Sequence, residues 1–273
     1  MAEGDINTMN LKDSWHLPTV ASLGLGLTLA VVAGQPKTAT AQSINLEKQA
    51  STQVTFESPA EPAPRNTTGA SSRDGGACTQ TSSAIHSTTA SLSPSNESSA
   101  SVTSLIPTND RGLTTEKRPT LFVYLPRSSA SEVFISMEDE YENYHYHTTL
   151  PISDAPGIFS FTVPETAPIL AMGTNYKWSV SLICGDELDP GDPKVEGWIQ
   201  RIEPDVALSA ELETADPLEQ AVLYAASGIW YDTLATLADL RLSHPDDSQL
   251  EVEWSELLKS VGLEEVAREP LAE

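Results

Sequence analysis

From Val102 onward apolar and polar residues alternate with a period of two, in short runs separated by turn residues. The runs are Val102 to Ile106, Pro119 to Leu125, Glu132 to Met137, Tyr144 to Leu150, Gly157 to Val163, Tyr176 to Cys184 and Lys194 to Ile202. Seven such strands predict an all-β sandwich with the immunoglobulin- or fibronectin-III-like strand count. In the sixth run Tyr176, Trp178, Val180, Leu182 and Cys184 share one face, while Lys177, Ser179 and Ser181 take the other. Following Gly173-Thr174-Asn175, Tyr176 reads either as a tyrosine corner or as the start of an ordinary half-buried strand. Both readings keep the sandwich.

After Pro204 the pattern turns helical. Asp216 as N-cap, Pro217 at N1 and Glu219 at N3 predict a helix ending near Gly228. A second helix runs from Ile229 to about Leu242 and stops before His244-Pro245, and a third opens on a Ser248/Glu251 capping box and ends at Gly262. On a tetratricopeptide frame, Ala221, Tyr224, Gly228, Trp230, Leu237 and Pro245 fall on signature positions, with Thr233 where a small alanine is usual. A single such unit is not stable alone, so its apolar face is expected on the sandwich or on the third helix through Trp254, Leu257 and Leu258. The expected fold is thus mainly β with an α-helical C-terminal appendix: an immunoglobulin/fibronectin-III-like sandwich over 101–204, then a tetratricopeptide-like hairpin and a third helix over 205–273.

The N-terminal part follows neither period. Val20 to Gly34 carries no charge over fifteen residues, which as helix spans roughly 22 Å, short of a bilayer core of about 30 Å. Ala39-Thr40-Ala41 supplies an A-x-A site, so a secretory signal over 1–41 with cleavage before Gln42 is expected, the alternative being an uncleaved anchor. Translation from Met9 rather than Met1 removes Glu3 and Asp5 and gives a better signal. From Asn66 to Ser104, 19 of 39 residues are Ser or Thr, too few apolar groups to offset the entropy of ordering. Residues 42–100 are therefore expected to form a flexible tether, with sequons at Asn66 and Asn96. Once the signal is removed, no membrane span is expected.

Composition changes this picture mainly through charge. The 39 acidic and 15 basic residues give −24, of which −2 falls on 1–118, −9 on 119–204 and −13 on 205–273. Such a field repels phosphate backbones, which argues against nucleic acid and suits cations or a partner protein with a basic patch. The helical unit carries 16 acidic against 3 basic side chains, and Glu251, Glu253, Glu256, Glu264 and Glu265 are expected on its outer, partner-facing surface.

Cys78 and Cys184 are the only cysteines, and in an oxidising compartment an even pair reads as a disulfide. The alternative leaves Cys184 as a small buried hydrophobe and Cys78 free in the tether. His145 and His147 share a strand face below Glu138, Asp139, Glu140 and Glu142, which is either half a Zn or Cu site or a solvated hairpin. Asp186, Glu187, Asp189 and Asp192 crowd one loop and either offer oxygens to Ca²⁺ or solvate the Pro190-Gly191 turn, without the EF-hand spacing. Trp198, Trp230 and Tyr231 form either an aromatic binding platform or core between sheet and helices. Hydrolase, zincin, P-loop and dinucleotide motifs are missing from the sequence, no cofactor is expected, and no catalytic residue is assigned.

Five segments in order, Gly75-Gly76-Ala77-Cys78, Arg118 to Pro126, Ser181 to Cys184, Val195-Glu196-Gly197-Trp198-Ile199 and Gly228-Ile229-Trp230-Tyr231-Asp232, resemble a cyanobacterial exported-protein family catalogued as domain of unknown function 928. The resemblance covers about Gly75 to Leu271 and implies the fold and export. It brings no activity with it. The expected function is an exported, non-catalytic interaction module, periplasmic, envelope-bound or extracellular. The alternative is an envelope hydrolase or carbohydrate-active enzyme whose carboxylates come from separate strands.

Overall fold

The computed structural model describes residues 53–59, 64, 78, 101–141, 145–153 and 155–272. The expected signal, both sequons, the alternative start and most of the expected tether lie outside the described residues. Among these residues eight strands are present: β1 Thr103–Ser104, β2 Arg111–Thr114, β3 Thr120–Leu125, β4 Glu132–Asp139, β5 His145–Pro151, β6 Gly157–Thr162, β7 Asn175–Ile183 and β8 Lys194–Arg201. Four helices follow: α1 Val206–Leu212, α2 Pro217–Ala226, α3 Trp230–Ser243 and α4 Ser248–Ser260. The protein is thus mainly β with a helical C-terminal part. Among the described residues no helix is long and apolar enough to cross a membrane.

The strands form a three-stranded sheet, β1-β3-β6, and a five-stranded sheet, β2-β8-β7-β4-β5. Every pairing is antiparallel except β2 with β8, where Arg111 lies opposite Trp198 and Thr114 opposite Arg201. The alternation of β7 becomes the inner face of the large sheet. Trp178, Val180 and Leu182 lie opposite Met137, Ile135 and Val133 of β4, and all six are buried. Across the gap, Phe161 of β6 stacks on Tyr146 of β5 with ring centroids 6.4 Å apart. β3 is buried on both faces, because Phe122, on the side away from Leu121 and Val123, meets Trp254 of α4 edge-on at 6.4 Å. The helices therefore cover the outer face of the small sheet. The segment after α4 returns to its edge: Ile158 donates to Pro270 and accepts from Ala272, and Leu271 runs parallel beside β6.

Two elements escape the sequence pattern. β2 follows a turn at Pro107–Asp110 and holds its place through pairing with β8, a contact that local alternation does not carry. α1 buries no residue, so it has no apolar stripe, and Asp205 nucleates it by accepting from the Leu208 amide at 2.8 Å. The start of α2 is as expected, a capping box in which Asp216 accepts from the Glu219 amide and Glu219 from the Asp216 amide. For α4 the cap is Asp247 rather than Ser248, because the Asp247 carboxylate accepts from the Gln249 amide at 2.9 Å.

The tether is not uniform. Residues 53–59 lie against the helical unit, with Val54 2% exposed and Phe56 edge-on to Trp230 at 4.7 Å. Two alternating apolar side chains in an otherwise polar stretch give this piece something to bury. Glu253, expected on the outer surface, is also inside: its carboxylate accepts from the Val54 amide at 2.9 Å.

Candidate functional site

The junction between sheets and helices is organised around Asp232 in the first turn of α3. β2 ends at Thr114, and the following residue turns toward the helix. Asp232 then accepts from the Thr114 hydroxyl at 2.6 Å, from the Thr115 amide at 3.1 Å and from the Thr115 hydroxyl. Burial pushes the Asp232 carboxyl above its ordinary range, the Thr114 and Thr115 hydrogen bonds oppose this, and the charge of Glu116 adds to the rise. The Tyr224 phenol is also raised, by burial first and then by the nearby charges of Asp232 and Glu116.

Above this carboxylate opens a cleft of about 360 Å³, with Glu116 on the β2–β3 connection, Gln220 and Tyr224 on α2, and Thr236 and Asp239 on α3. A neighbouring pocket of about 170 Å³ shares Thr120, Ala235 and Asp239 with it and continues over Phe122, Ile158 and Leu242. The two form one continuous groove, acidic over Asp232 and Asp239 and lined beyond them by Ser160, Thr162, Leu242 and Leu271. Arg118 also lines the cleft, but its guanidinium donates to the carbonyls of Pro164 at 3.1 Å, Glu165 at 3.0 Å and Ala167 at 3.1 Å. Its role is to pin the loop between β6 and β7. Chemically, the Thr hydroxyls facing Asp232 are hydrogen-bond donors and not activated nucleophiles, since a carboxylate is far too weak a base to generate an alkoxide.

The residues singled out from sequence are dispersed. Trp198, Trp230 and Tyr231 are 4%, 0% and 1% exposed, which removes the binding-platform reading. Tyr231 instead packs on Gly112 of β2, donates to the Trp198 carbonyl at 3.1 Å and accepts from the Trp178 indole at 2.6 Å. The Trp230 indole donates to the Leu105 carbonyl at 2.8 Å. His147 is exposed with its ring tilted against Phe134 at 5.8 Å, and His145 lies opposite Glu138 in the β4–β5 ladder. In the 186–192 loop, Asp189 accepts from the Gly191 amide at 2.8 Å and Asp192, which is buried, accepts from the Asp189 amide at 2.9 Å, while Asp186 is exposed. Those carboxylates shape the turn. Among the described residues no group of three or more His, Cys, Asp or Glu side chains comes together to hold a metal ion.

Glu251 and Glu256 are exposed on α4, and Glu256 pairs with Lys259 at 2.8 Å. The structure juxtaposes Cys78 and Cys184 with Cα atoms 5.0 Å apart, inside the range a disulfide requires. Sequence reading missed Glu116, Tyr224, Asp232 and Asp239 as one group, because they come from three separate elements. One signal was present: Asp232 closes the Gly228–Asp232 segment, and Arg118 opens another of the segments that carry the resemblance.

Residues 69–271 match the model of a family described as Domain of Unknown Function (DUF928). A search of curated proteins finds no match to the chain.

Proposed function

The chain belongs to the DUF928 family, and from that premise we propose that it is an exported, non-catalytic interaction module whose acidic cleft receives a basic segment of a partner protein. The observation that carries this reading is the cleft itself. Glu116, Asp232 and Asp239 face it, while the guanidinium of Arg118 is committed to backbone carbonyls. A lysine or arginine side chain meets complementary charge there, with the Tyr224 ring beside it and the adjoining pocket, lined by Ser160, Thr162 and Leu242, for a neighbouring residue. These three carboxylates line one cleft without coming close enough together to hold a metal ion, so an elongated organic cation fits better than a single metal ion.

Architecture supports the same reading. β1, β3 and β6 against β8, β7, β4 and β5 follow the order of immunoglobulin-like A, B, E and G, F, C, C′ strands. Tyr176 accepts from the Ala171 amide at 3.0 Å, a hydrogen bond of the kind a tyrosine corner makes. α2 and α3, joined through Gly228, support the tetratricopeptide-like reading of the hairpin. Export is supported by the Val20–Gly34 run, the Ala39-Thr40-Ala41 site and the disulfide-capable pair. The mature N-terminus should be at or near Gln42, and an intact N-terminus recovered from cytoplasm contradicts export.

The decisive experiment captures partners from the envelope fraction on the mature protein at low salt. Glu116→Gln with Asp239→Asn should lose the partner, and raised salt should release it from the wild type. Equal capture by both proteins at low salt overturns the cleft as the contact. The gathering of Glu116, Asp239 and Tyr224 in one cleft also favours a second reading, a carbohydrate-active or other envelope hydrolase. Turnover of a glycan or peptide that either single substitution abolishes would establish it in place of the first.

A further inference from the structure

Residues 53–59 occupy a groove that has the features of a peptide receptor. The segment is extended, with Val54 and Phe56 turned inward and Gln53, Thr55 and Glu57 outward. Its amides are matched on both sides: Val54 donates to Glu253 of α4 at 2.9 Å, and Glu57 donates to the Ala225 carbonyl of α2 at 3.0 Å. Phe56 meets Trp230 edge-on, at a 4.7 Å centroid distance and 73° between planes. Gly228 forms the floor. A Cβ there would lie 2.9 Å from the Glu57 carbonyl oxygen and 3.0 Å from Pro59. Asn109 closes the far end by donating to the Ser58 hydroxyl at 3.3 Å.

Main-chain hydrogen bonds combined with pockets for alternate side chains are how protein grooves read extended peptides, and the two main-chain donors here need no residue peculiar to this segment. The groove is also built to be filled. Glu253 is 8% exposed and Trp230 is 0% exposed with the segment in place, so removing it takes the amide donor from the Glu253 carboxylate and uncovers aromatic surface of Trp230. Among the described residues only these seven close it, through Val54 and Phe56, two main-chain donors and the contacts of Ser58 and Pro59 with Asn109 and Gly228. Elements with so few contacts open at far lower cost than a sheet core.

We propose that the groove between α2, α3 and α4 is a binding site for extended peptides with apolar residues at alternate positions, and that residues 53–59 fill it in cis as an exchangeable strap. The strap of this chain sets the pattern of the ligand: an apolar residue, any residue, an aromatic, then proline three residues on. The site is separate from the acidic cleft, and its ligand is recognised by shape and main chain rather than by charge.

The probe is a fluorescein-labelled peptide with the sequence of residues 51–61, titrated into the full mature chain. With the groove open about 1% of the time, the wild type should bind it about 100-fold more weakly than a variant whose own strap is loosened by Val54→Ala and Phe56→Ala. A peptide carrying the same two substitutions should not bind. The proposal is overturned if the loosened variant, melting as a folded protein, fails to take the native peptide, or if wild type and variant bind it equally. A second measurement needs no variant. In wild-type hydrogen exchange the Val54 and Glu57 amides should exchange at least about 100-fold faster than the amide of Val180 in β7. Equal protection would make the strap part of the cooperative core, and the proposal falls.

Discussion

Removing one oxygen atom should reveal how tightly the helices are fastened to the sheets. In Tyr231→Phe the ring still packs on Gly112 of β2, so packing is conserved, but the hydroxyl that accepts from Trp178 and donates to the Trp198 carbonyl is gone. Trp178 is 0% exposed, so its orphaned indole N–H finds no bulk water, while the Trp198 carbonyl keeps its place in the β2–β8 ladder and loses one of two partners. An unsatisfied buried donor costs about 1–3 kcal/mol, and with the lost hydrogen bond to the Trp198 carbonyl the total comes to about 2–4 kcal/mol. For a domain of this size that lowers Tm by about 4–16 °C. Urea unfolding of wild type, Tyr231→Phe, Trp178→Phe and the double variant completes a cycle. The double variant should be less destabilised than the sum of the singles, since removing the indole N–H also removes one orphan. Burial also holds the Tyr231 phenol above its ordinary pKa, with the Trp178 hydrogen bond opposing. A raised folded-state pKa means stability present below the unfolded value of about 10 and lost as pH rises above it. That alkaline loss should shrink in Tyr231→Phe. A variant within 0.5 kcal/mol of wild type would refute the reasoning, because it would mean that water reaches the junction or that the helices are fastened elsewhere.

Gly112→Ala would place a Cβ 2.5 Å from Cε2 of Tyr231 and 3.2 Å from Cβ of Trp230, so it should cost about 1–3 kcal/mol in chemical denaturation; a neutral result means that α3 can lift from β2. Reduction of a Cys78–Cys184 bridge, which spans 106 residues, should cost up to about 4.7 kcal/mol in the loop-entropy limit. Two free thiols in native protein, or a melting temperature indifferent to reductant, would contradict it. The Asp232 carboxyl is raised above 3.8, so the folded state holds its proton longer than the unfolded chain does. Its contribution is favourable below that value and declines as pH rises through the folded pKa, and Asp232→Asn should flatten this part of a stability–pH profile followed by urea midpoint. An identical slope in both proteins would refute the assignment.

The β body was legible because alternation over β4 and β7 is a direct image of burial. Every second residue of those strands faces the inner layer, and a local pattern suffices to see it. Helix starts were legible for a similar reason, since Asp216, Pro217 and Glu219 act on the amides next to them. Where the determining partner is remote, the sequence was silent. β2 depends on β8, Glu253 turns inward because Val54 presents an amide some two hundred residues earlier in the chain, and Asp232 gains its environment from Thr114 and Thr115. Glu253 is instructive: at a helical position flanked by exposed Val252 and buried Trp254, nothing in the period marks a carboxylate for the interior. The charge of the last 69 residues suggested a uniform outer surface, yet the carboxylates that gather are those of the cleft, one of them contributed by the β2–β3 connection.

The parallel pairing of Leu271 with Ile158 sets an order of assembly. As the polypeptide emerges N-terminus first, β6 can zip to β3 at once, but its other side stays uncapped until the segment around residues 269–272 has emerged as well. Through that interval the small sheet presents bare amides and carbonyls to any strand nearby, in a compartment where other chains are folding too. Completion of the fold is therefore timed by the arrival of a distant segment, and a chain interrupted before Pro270 would keep a sticky flank that the finished protein hides.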